Sequence, residues 1–460
     1  MTVIAPDRTD ELLERMEELC ANAVDPLEVT AALEADGIND EAARGYGHPD
    51  VFALAEDLYD RTPRRPPAIG VSDSPWRAVP WRHLLRGVLF GMPGLCFVAV
   101  QPVLARSGAG VLLVLSLLLS WTVSQGTAYL GYVRLGLGDR ASAARVLRYG
   151  LAAGVLVVVP VTVAAGSLLA AGKAATALAA GLCAYLLSAM VAQVNGAERR
   201  LLLALLPGSA TVVVYFAHRG GLSASGSVPT GIWIAWLVTL AATVVLALVC
   251  TSGAGRPRRP VGALRDIASA LPFAVFGLLT GGLLTFTLLC ALAGRPVPPG
   301  PTTVAVLALS VSMGVAEWIL YAFRKRVHHL LRVHSDIAGF ARAARVALAT
   351  ALGRYLAALV GLVAVAAPIA GLSATLATLR LLAGFLGLGG AFFLALVLQA
   401  CGRVRVVLGA SACALLAEVA SAVGVPAAEP ATVQMTVAGA LLLTLSIYAG
   451  TVLSRATSHR

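Results

Sequence analysis

The feature that most constrains this chain is its succession of unbroken apolar runs. Residues 108–130 and 149–171 are examples, each as long as the roughly 20 apolar residues a helix needs to cross a bilayer. A soluble helix would carry one apolar stripe and a polar opposite face; these runs have no polar face. Hydrophobic residues make up 58% of the chain and charged ones 13%, about half the charged share of a typical soluble domain. Pro93, Pro160, Pro207, Pro272 and Pro368 fall inside runs, a placement membrane helices tolerate when neighbours re-satisfy the backbone. A membrane β-barrel, which needs short alternating strands, is excluded. Twelve spans are expected, at 83–105, 108–130, 149–171, 174–197, 201–217, 229–251, 267–292, 302–323, 346–371, 381–401, 406–424 and 431–453.

Charge orients these spans. With the N-terminus inside, the flank 61–82, the even-numbered loops and the tail hold 25 Lys and Arg, against five in the odd-numbered loops (Arg106, Lys173, Arg219, Arg295, Arg380). Basic residues are retained on the cytoplasmic side, so both termini are expected there, in the plasma membrane. The formal net charge of +11 then reports topology and contact with anionic lipid rather than nucleic-acid binding. Arg outnumbers Lys 33 to 2, which with the Ala and Gly content suggests a GC-rich bacterial gene. The acidic start lacks the apolar core of a cleavable signal, so insertion is expected to begin at the first span. The seven cysteines show no paired spacing and read as buried inert thiols.

Residues 1–60 were shaped by a different solvent, since they hold 16 of the 24 Asp and Glu. Asp25-Pro26, Gly37, Asn39 and Pro49-Asp50 punctuate three or four short helices. We expect a small acidic cytoplasmic domain at 1–60, either docking a partner such as a synthase that delivers substrate, or merely aiding folding. A Pro- and Arg-rich linker at 61–82 would lie at the membrane face. The remaining divisions are a bundle at 83–251, a basic linker at 252–266, a second bundle at 267–453 and a tail at 454–460.

The division into two bundles rests on an internal repeat. Ala143-Ala144-Arg145-Val146-Leu147 after the second span matches Ala343-Ala344-Arg345-Val346-Ala347 after the eighth, 200 residues later. The fourth span ends Gln193-Val194-Asn195-Gly196 and the tenth Gln399-Ala400-Cys401-Gly402, while Phe90-Gly91 in the first matches Phe276-Gly277 in the seventh. The expected fold is an all-α integral membrane protein of two six-helix bundles. Six being even, the copies share orientation and are related by a pseudo-two-fold along the membrane normal, with a cleft between them.

The stretch Arg134-Leu-Gly-Leu-Gly138-Asp139-Arg140-Ala-Ser-Ala-Ala144-Arg145, followed by a long apolar helix, resembles the loop between helices two and three in the multidrug/oligosaccharidyl-lipid/polysaccharide (MOP) exporter superfamily. The resemblance covers about 83–453, and the acidic domain is not part of the family's pattern. It implies alternating access, with spans one, two, seven and eight lining the cleft.

Ionisable groups inside spans are the first candidates for function, because each costs roughly 2.5–3.5 kcal/mol near a helix centre. Glu317 in the eighth span is either a proton or cation site on the pathway or a carboxylate held by Arg324 or Arg326. Glu418 in the eleventh is a pathway candidate or a packed, hydrogen-bonded or protonated carboxyl at a bundle's periphery. Arg354 in the ninth span is a pathway candidate or snorkels to the inner face, and Arg86 in the first is expected to snorkel. Ser124 and Gln125 give the second span a polar half suited to substrate hydroxyls or to helix-to-helix bonding. Gln193, Asn195 and Gln399 are gate or helix-end candidates, and Arg324, Lys325, Arg326 and Arg332 are expected on lipid headgroups.

No phosphate loop, no metal-ligating cluster and no catalytic Ser/His/Asp arrangement stands out, so we expect neither enzyme chemistry nor a cofactor or metal. The leading expectation is an exporter or flippase of a polysaccharide or lipid-linked saccharide. The alternatives are a cation-coupled multidrug exporter and a non-transporting scaffold for a cytoplasmic partner.

Overall fold

The computed structural model describes residues 8–23, 25–63, 80–104, 108–219, 228–252, 264–333 and 337–453. Most of the expected linkers, at 64–79 and 253–263, and the tail at 454–460 lie outside the described residues. The chain forms two compact units, Met1–Ala78 and Val79–Arg460, and the described residues are helical, with no strand among them.

The first unit holds α1 (Arg8–Asn22), α2 (Pro26–Ala35), α3 (Asp40–Arg44) and α4 (Val51–Arg61). The starts of α2, α3 and α4 are set by side-chain caps: Asp25 accepts from the Glu28 amide at 3.1 Å, Asn39 from Ala42 at 3.0 Å and Asp50 from Ala53 at 2.8 Å. Leu12, Met16 and Cys20 of α1, Val29 and Leu33 of α2, and Leu54 and Leu58 of α4 close one small core. Burial raises the Cys20 thiol above its ordinary pKa, which suits an inert packing role. Replacing the fully buried Leu54 by Ala should destabilise this unit by roughly 2–5 kcal/mol, whereas exposed Leu27→Ala should be near neutral. Hydrogen exchange across α4 in the full chain reads the difference.

The second unit holds α5 (Pro80–Ala99), α6 (Gln101–Leu104), α7 (Ala109–Gly136), α8 (Arg140–Leu168), α9 (Lys173–Val194), α10 (Glu198–Arg219), α11 (Thr230–Cys250), α12 (Leu264–Leu292), α13 (Pro299–Val333), α14 (Ile337–Ile369), α15 (Leu376–Ala400), α16 (Val404–Gly424) and α17 (Pro430–Val452). Among the described residues eleven helices, α7 to α17, are long and apolar enough to cross a membrane. The expected first span is α5, whose opening turns carry Arg82, His83 and Arg86 and which breaks at Val100 before α6. Where basic loops contain neither Gly nor Pro, helices outrun the expected spans: α13 continues through Arg324-Lys325-Arg326 to Val333.

Each half repeats the packing of the other. In the first, α7 packs on α8 and α9, α8 on α9, α9 on α11, α10 on α11 and α5 on α10; in the second, α13 packs on α14 and α15, α14 on α15, α15 on α17, α16 on α17 and α12 on α16. The two halves meet along two seams that the repeat exchanges, α5 against α13 and α7 against α12. The fold is therefore two six-helix bundles related by a two-fold operation.

The repeat extends to individual turns. In Gln193-Val194-Asn195-Gly196 and Gln399-Ala400-Cys401-Gly402 the glycines take φ of 71° and 73°. In each, the following amide bonds back to the helix: Ala197 to Ala192 O at 2.9 Å and Arg403 to Leu398 O at 2.9 Å. These are matching Schellman turns. Likewise Arg148 of α8 reaches the Leu248 carbonyl at the end of α11, and Arg345 of α14 the Gly450 carbonyl near the end of α17.

Burial separates lipid-facing from central helices. The fourth helix of each half is the most enclosed, with 61% of the apolar window of α9 and 67% of that of α15 buried, against 22% for α11 and α16. Exposed Leu156, Leu203, Ile234, Leu416 and Leu443 then face acyl chains.

Candidate functional site

The two seams are held in different ways along their length. Along α5 and α13, small residues let the backbones touch. A Cβ on Gly87 would collide with the Val311 carbonyl, and one on Gly314 with the His83 carbonyl. Along α7 and α12, Gly277 makes room for Gln125, the rings of Tyr129 and Phe273 stack at 3.8 Å, and a Cβ on Gly126 would meet Ala274 at 3.2 Å. Both seams are antiparallel, so the starts of α5 and α12 lie at the same end as the basic loops that follow α7 and α13.

At that basic end, ion pairs join the halves. Arg86 of α5 donates from Nε and Nη2 to Glu198 Oε1 of α10 at 2.9 and 2.7 Å, and from Nη1 to Glu317 Oε2 of α13 at 2.9 Å. His83 Nδ1 lies 3.3 Å from the same Glu317 oxygen, and its ring sits 6.0 Å from Trp318. The Arg199 guanidinium lies 4.4 Å over the Trp81 ring, tying the starts of α10 and α5. On the other seam Arg134 of α7 makes a two-oxygen contact with Asp266 of α12 at 2.8 and 2.9 Å. Each seam thus carries one Arg–carboxylate bridge between halves, with the sign reversed: the first helix of the half supplies Arg in one case and Asp in the other.

Because both contacts run from the single nitrogen Nη2 to the two Asp266 oxygens, Asp266→Asn, which removes the charge, should weaken the pair more than Arg134→Lys, which keeps it. Exchanging the two, Arg134→Asp with Asp266→Arg, should recover part of the loss of thermal stability. Failure of the exchange to recover anything would mean that the pair is not what joins this seam.

The expected site residues fall in three groups. Glu317 is on the seam, held by Arg86 and His83 of the other half rather than by Arg324 or Arg326. Arg86, expected to snorkel, instead points into the protein between two carboxylates. Ser124 is buried with no hydroxyl partner among the described residues, beside Gln125 on the α7 seam. A second group is away from it. Asn195 is exposed and donates to its own helix at Val191 O, 2.8 Å away, which is a cap rather than a gate. Gln193 and Gln399 end α9 and α15, and Arg354 lies exposed on α14, which packs on α13 and α15. Arg324, Lys325 and Arg326 are exposed on the projecting end of α13, and the Arg332 side chain lies outside the described residues. Glu418 forms the third group: it belongs to the one buried stripe of α16, with Val407, Ser411 and Ala414, and faces neither seam nor lipid.

His83, Glu198, Arg134 and Asp266 were not singled out from the sequence. Arg134 and Asp139 do lie in the loop that carries the family resemblance, and the structure gives both a role. Asp139 caps α8 by accepting from the Ser142 amide and hydroxyl at 3.0 and 2.6 Å, while Arg134 bridges the halves.

The chain matches no protein-family model and no curated protein. Among solved structures it is similar to a MATE in complex with Br-NRF, at 12% identity and TM-score 0.48 over 83% of this chain and 98% of that one. It is also similar to the inward-facing and outward-facing conformations of a multidrug resistance MATE family transporter of the MOP superfamily. Both are 14% identical, at TM-scores of 0.40 and 0.44, covering 81% and 82% of this chain and 93% and 95% of those.

Proposed function

We propose that the chain exports or flips an amphipathic saccharide, a polysaccharide or a lipid-linked one, across a plasma membrane by alternating access. The observation that carries this is the pair of inter-half bridges at the basic end, Arg86–Glu317 and Arg134–Asp266, on seams that the internal repeat exchanges. Two bundles joined by glycine-lined contacts and a few breakable ion pairs have the construction that rocking about a common axis requires. With the basic end facing the cytoplasm, the described state is closed there, and the bridges must open to admit substrate. The polar stretch Ser120-Trp121-Thr122-Val123-Ser124-Gln125 along the α7 seam supports a cargo bearing hydroxyls. The acidic unit supports a handover from a cytoplasmic synthase.

Deleting the gene should reduce cell-surface polysaccharide and accumulate its lipid-linked precursor. If neither changes, the saccharide reading fails. A cation-coupled multidrug exporter is the second reading, favoured by the two intramembrane carboxylates. Glu317→Gln tests coupling through that residue: export retained in full at every pH would remove Glu317 as the coupling site.

A further inference from the structure

Glu317 on the α5–α13 seam has two nitrogen neighbours of different kinds. Arg86 Nη1 lies 2.9 Å from Glu317 Oε2, and His83 Nδ1 lies 3.3 Å from the same oxygen. Arg86 is charged at every ordinary pH and makes its other two contacts to Glu198 Oε1. Histidine is the side-chain type that changes charge between about pH 5 and 8. The position of His83 is set by backbone: its carbonyl lies against Gly314 of α13, where a Cβ would collide with it. The ring stands 6.0 Å from that of Trp318 and 6.1 Å from that of Tyr321, both on α13. Its side chain is 20% exposed, so protons from the basic end can reach it.

The surrounding charges decide the sign of its effect. From α13 the ring meets Glu317 and Tyr321. From α10, Glu198 is held by Arg86, and Arg199 lies over Trp81. From α7, Tyr132 stands near Arg86 and both carboxylates. No titratable side chain occurs on α6, and the Arg82 side chain lies outside the described residues. Arg86 and Arg199 thus balance Glu198 and Glu317, and a protonated His83 adds one positive charge beside the carboxylate that has only a single contact from Arg86. Neutral, the ring donates to Glu317 in one tautomer and not in the other. Protonated, it donates as a cation, in a bond roughly twice as strong. That gain exists only while α5 and α13 stand together, so acid favours the closed basic end. Protonation of Glu317 would act with the opposite sign, because it removes the charge that attracts both donors.

We propose that His83 is a pH sensor at the basic end: proton uptake by its ring locks the α5–α13 seam, and loss of that proton frees the seam to open. The proton is taken up and released at the same end, so it regulates opening and is not carried across. That opening admits cargo rests on the exporter reading; the response of the seam to pH does not.

The test is double electron–electron resonance on the full chain in nanodiscs. Spin labels go on non-natural residues placed at Leu137 of α7 and Lys325 of α13, exposed positions on opposite halves at the basic end. On acidification from about pH 8 to about pH 5.5, wild type should shift toward the shorter distance, with the closed-to-open ratio rising roughly 3–10-fold. His83→Gln keeps a neutral donor and should remove the pH dependence, leaving the distribution near that of wild type at the higher pH. His83→Lys, charged throughout, should hold the acid distribution at both. Should His83→Gln fail to fold, His83→Lys decides alone. A wild type that acid shifts toward the longer distance, one that does not respond to pH, or a response that either substitution leaves intact would overturn the proposal. A seam that closes with acid in a chain that exports nothing defeats the exporter reading and leaves the sensor standing; export with a seam indifferent to pH does the reverse.

Discussion

Arg86→Gln is expected to lower the unfolding free energy of the membrane unit by about 3 kcal/mol or more, and Glu317→Gln by clearly less. The difference lies in what each change leaves behind. Glu198 is 3% exposed at its side chain and Glu317 is 29% exposed. Removing the guanidinium takes two close contacts from a carboxylate that is almost wholly buried, whereas removing the Glu317 charge leaves Arg86 on Glu198. Both changes release the bridge between halves, so both should shift the protein toward opening at the basic end. Thermal unfolding in detergent reads the first ranking. Cysteine labelling at Phe90, which packs edge-on to Trp121 across a 6.3 Å ring separation, reads the second. Equal stability losses for the two variants would show that Glu198 does not depend on Arg86.

The second large effect is steric. Gly314→Val should force α13 away from α5, because even a methyl group at that position meets the His83 carbonyl and the Gly87 backbone. Overpacking of this kind costs typically about 1–3 kcal/mol, and here the obstacle is backbone, which cannot rotate away. The seam that carries the Arg86–Glu317 bridge would be held apart, so the proposed export should be lost along with stability. Gly353→Val is the control: nothing stands within 4 Å of a Cβ at Gly353 on α14, so the added side chain enters open space. If both valines behave alike, close approach of α5 and α13 is not required.

How far the sequence reached differs between fold and site. The repeat was legible in short strings because equivalent turns have equivalent backbone demands. The Gln-x-x-Gly endings of α9 and α15 are the same turn, each with its glycine at positive φ. The helix ends were less legible: basic loops of good helix formers contain no stop signal, so α13 runs through one. The first span carries His83 and Arg86 in its opening turns, and the sequence alone points Arg86 toward the membrane surface. Their place is explained only by partners far along the chain: Glu317 is 231 residues from Arg86. Glu418 is legible in the sequence as a costly group inside a span, and the family resemblance implies a bundle's periphery for it. Its inward stripe follows from the rotation of α16 about its own axis. In uniformly apolar helices hydrophobic periodicity does not encode that rotation.

By itself the sequence determined the solvent of each part, the approximate positions of the spans and the two-fold repeat. These depend on composition, on runs of about 20 residues and on local turn chemistry, all of which are one-dimensional. Only the tertiary structure decided which carboxylate meets which guanidinium, because charges that are rare in a membrane are placed by packing between helices. The seams α5–α13 and α7–α12, and the bridges across them, are properties of that packing.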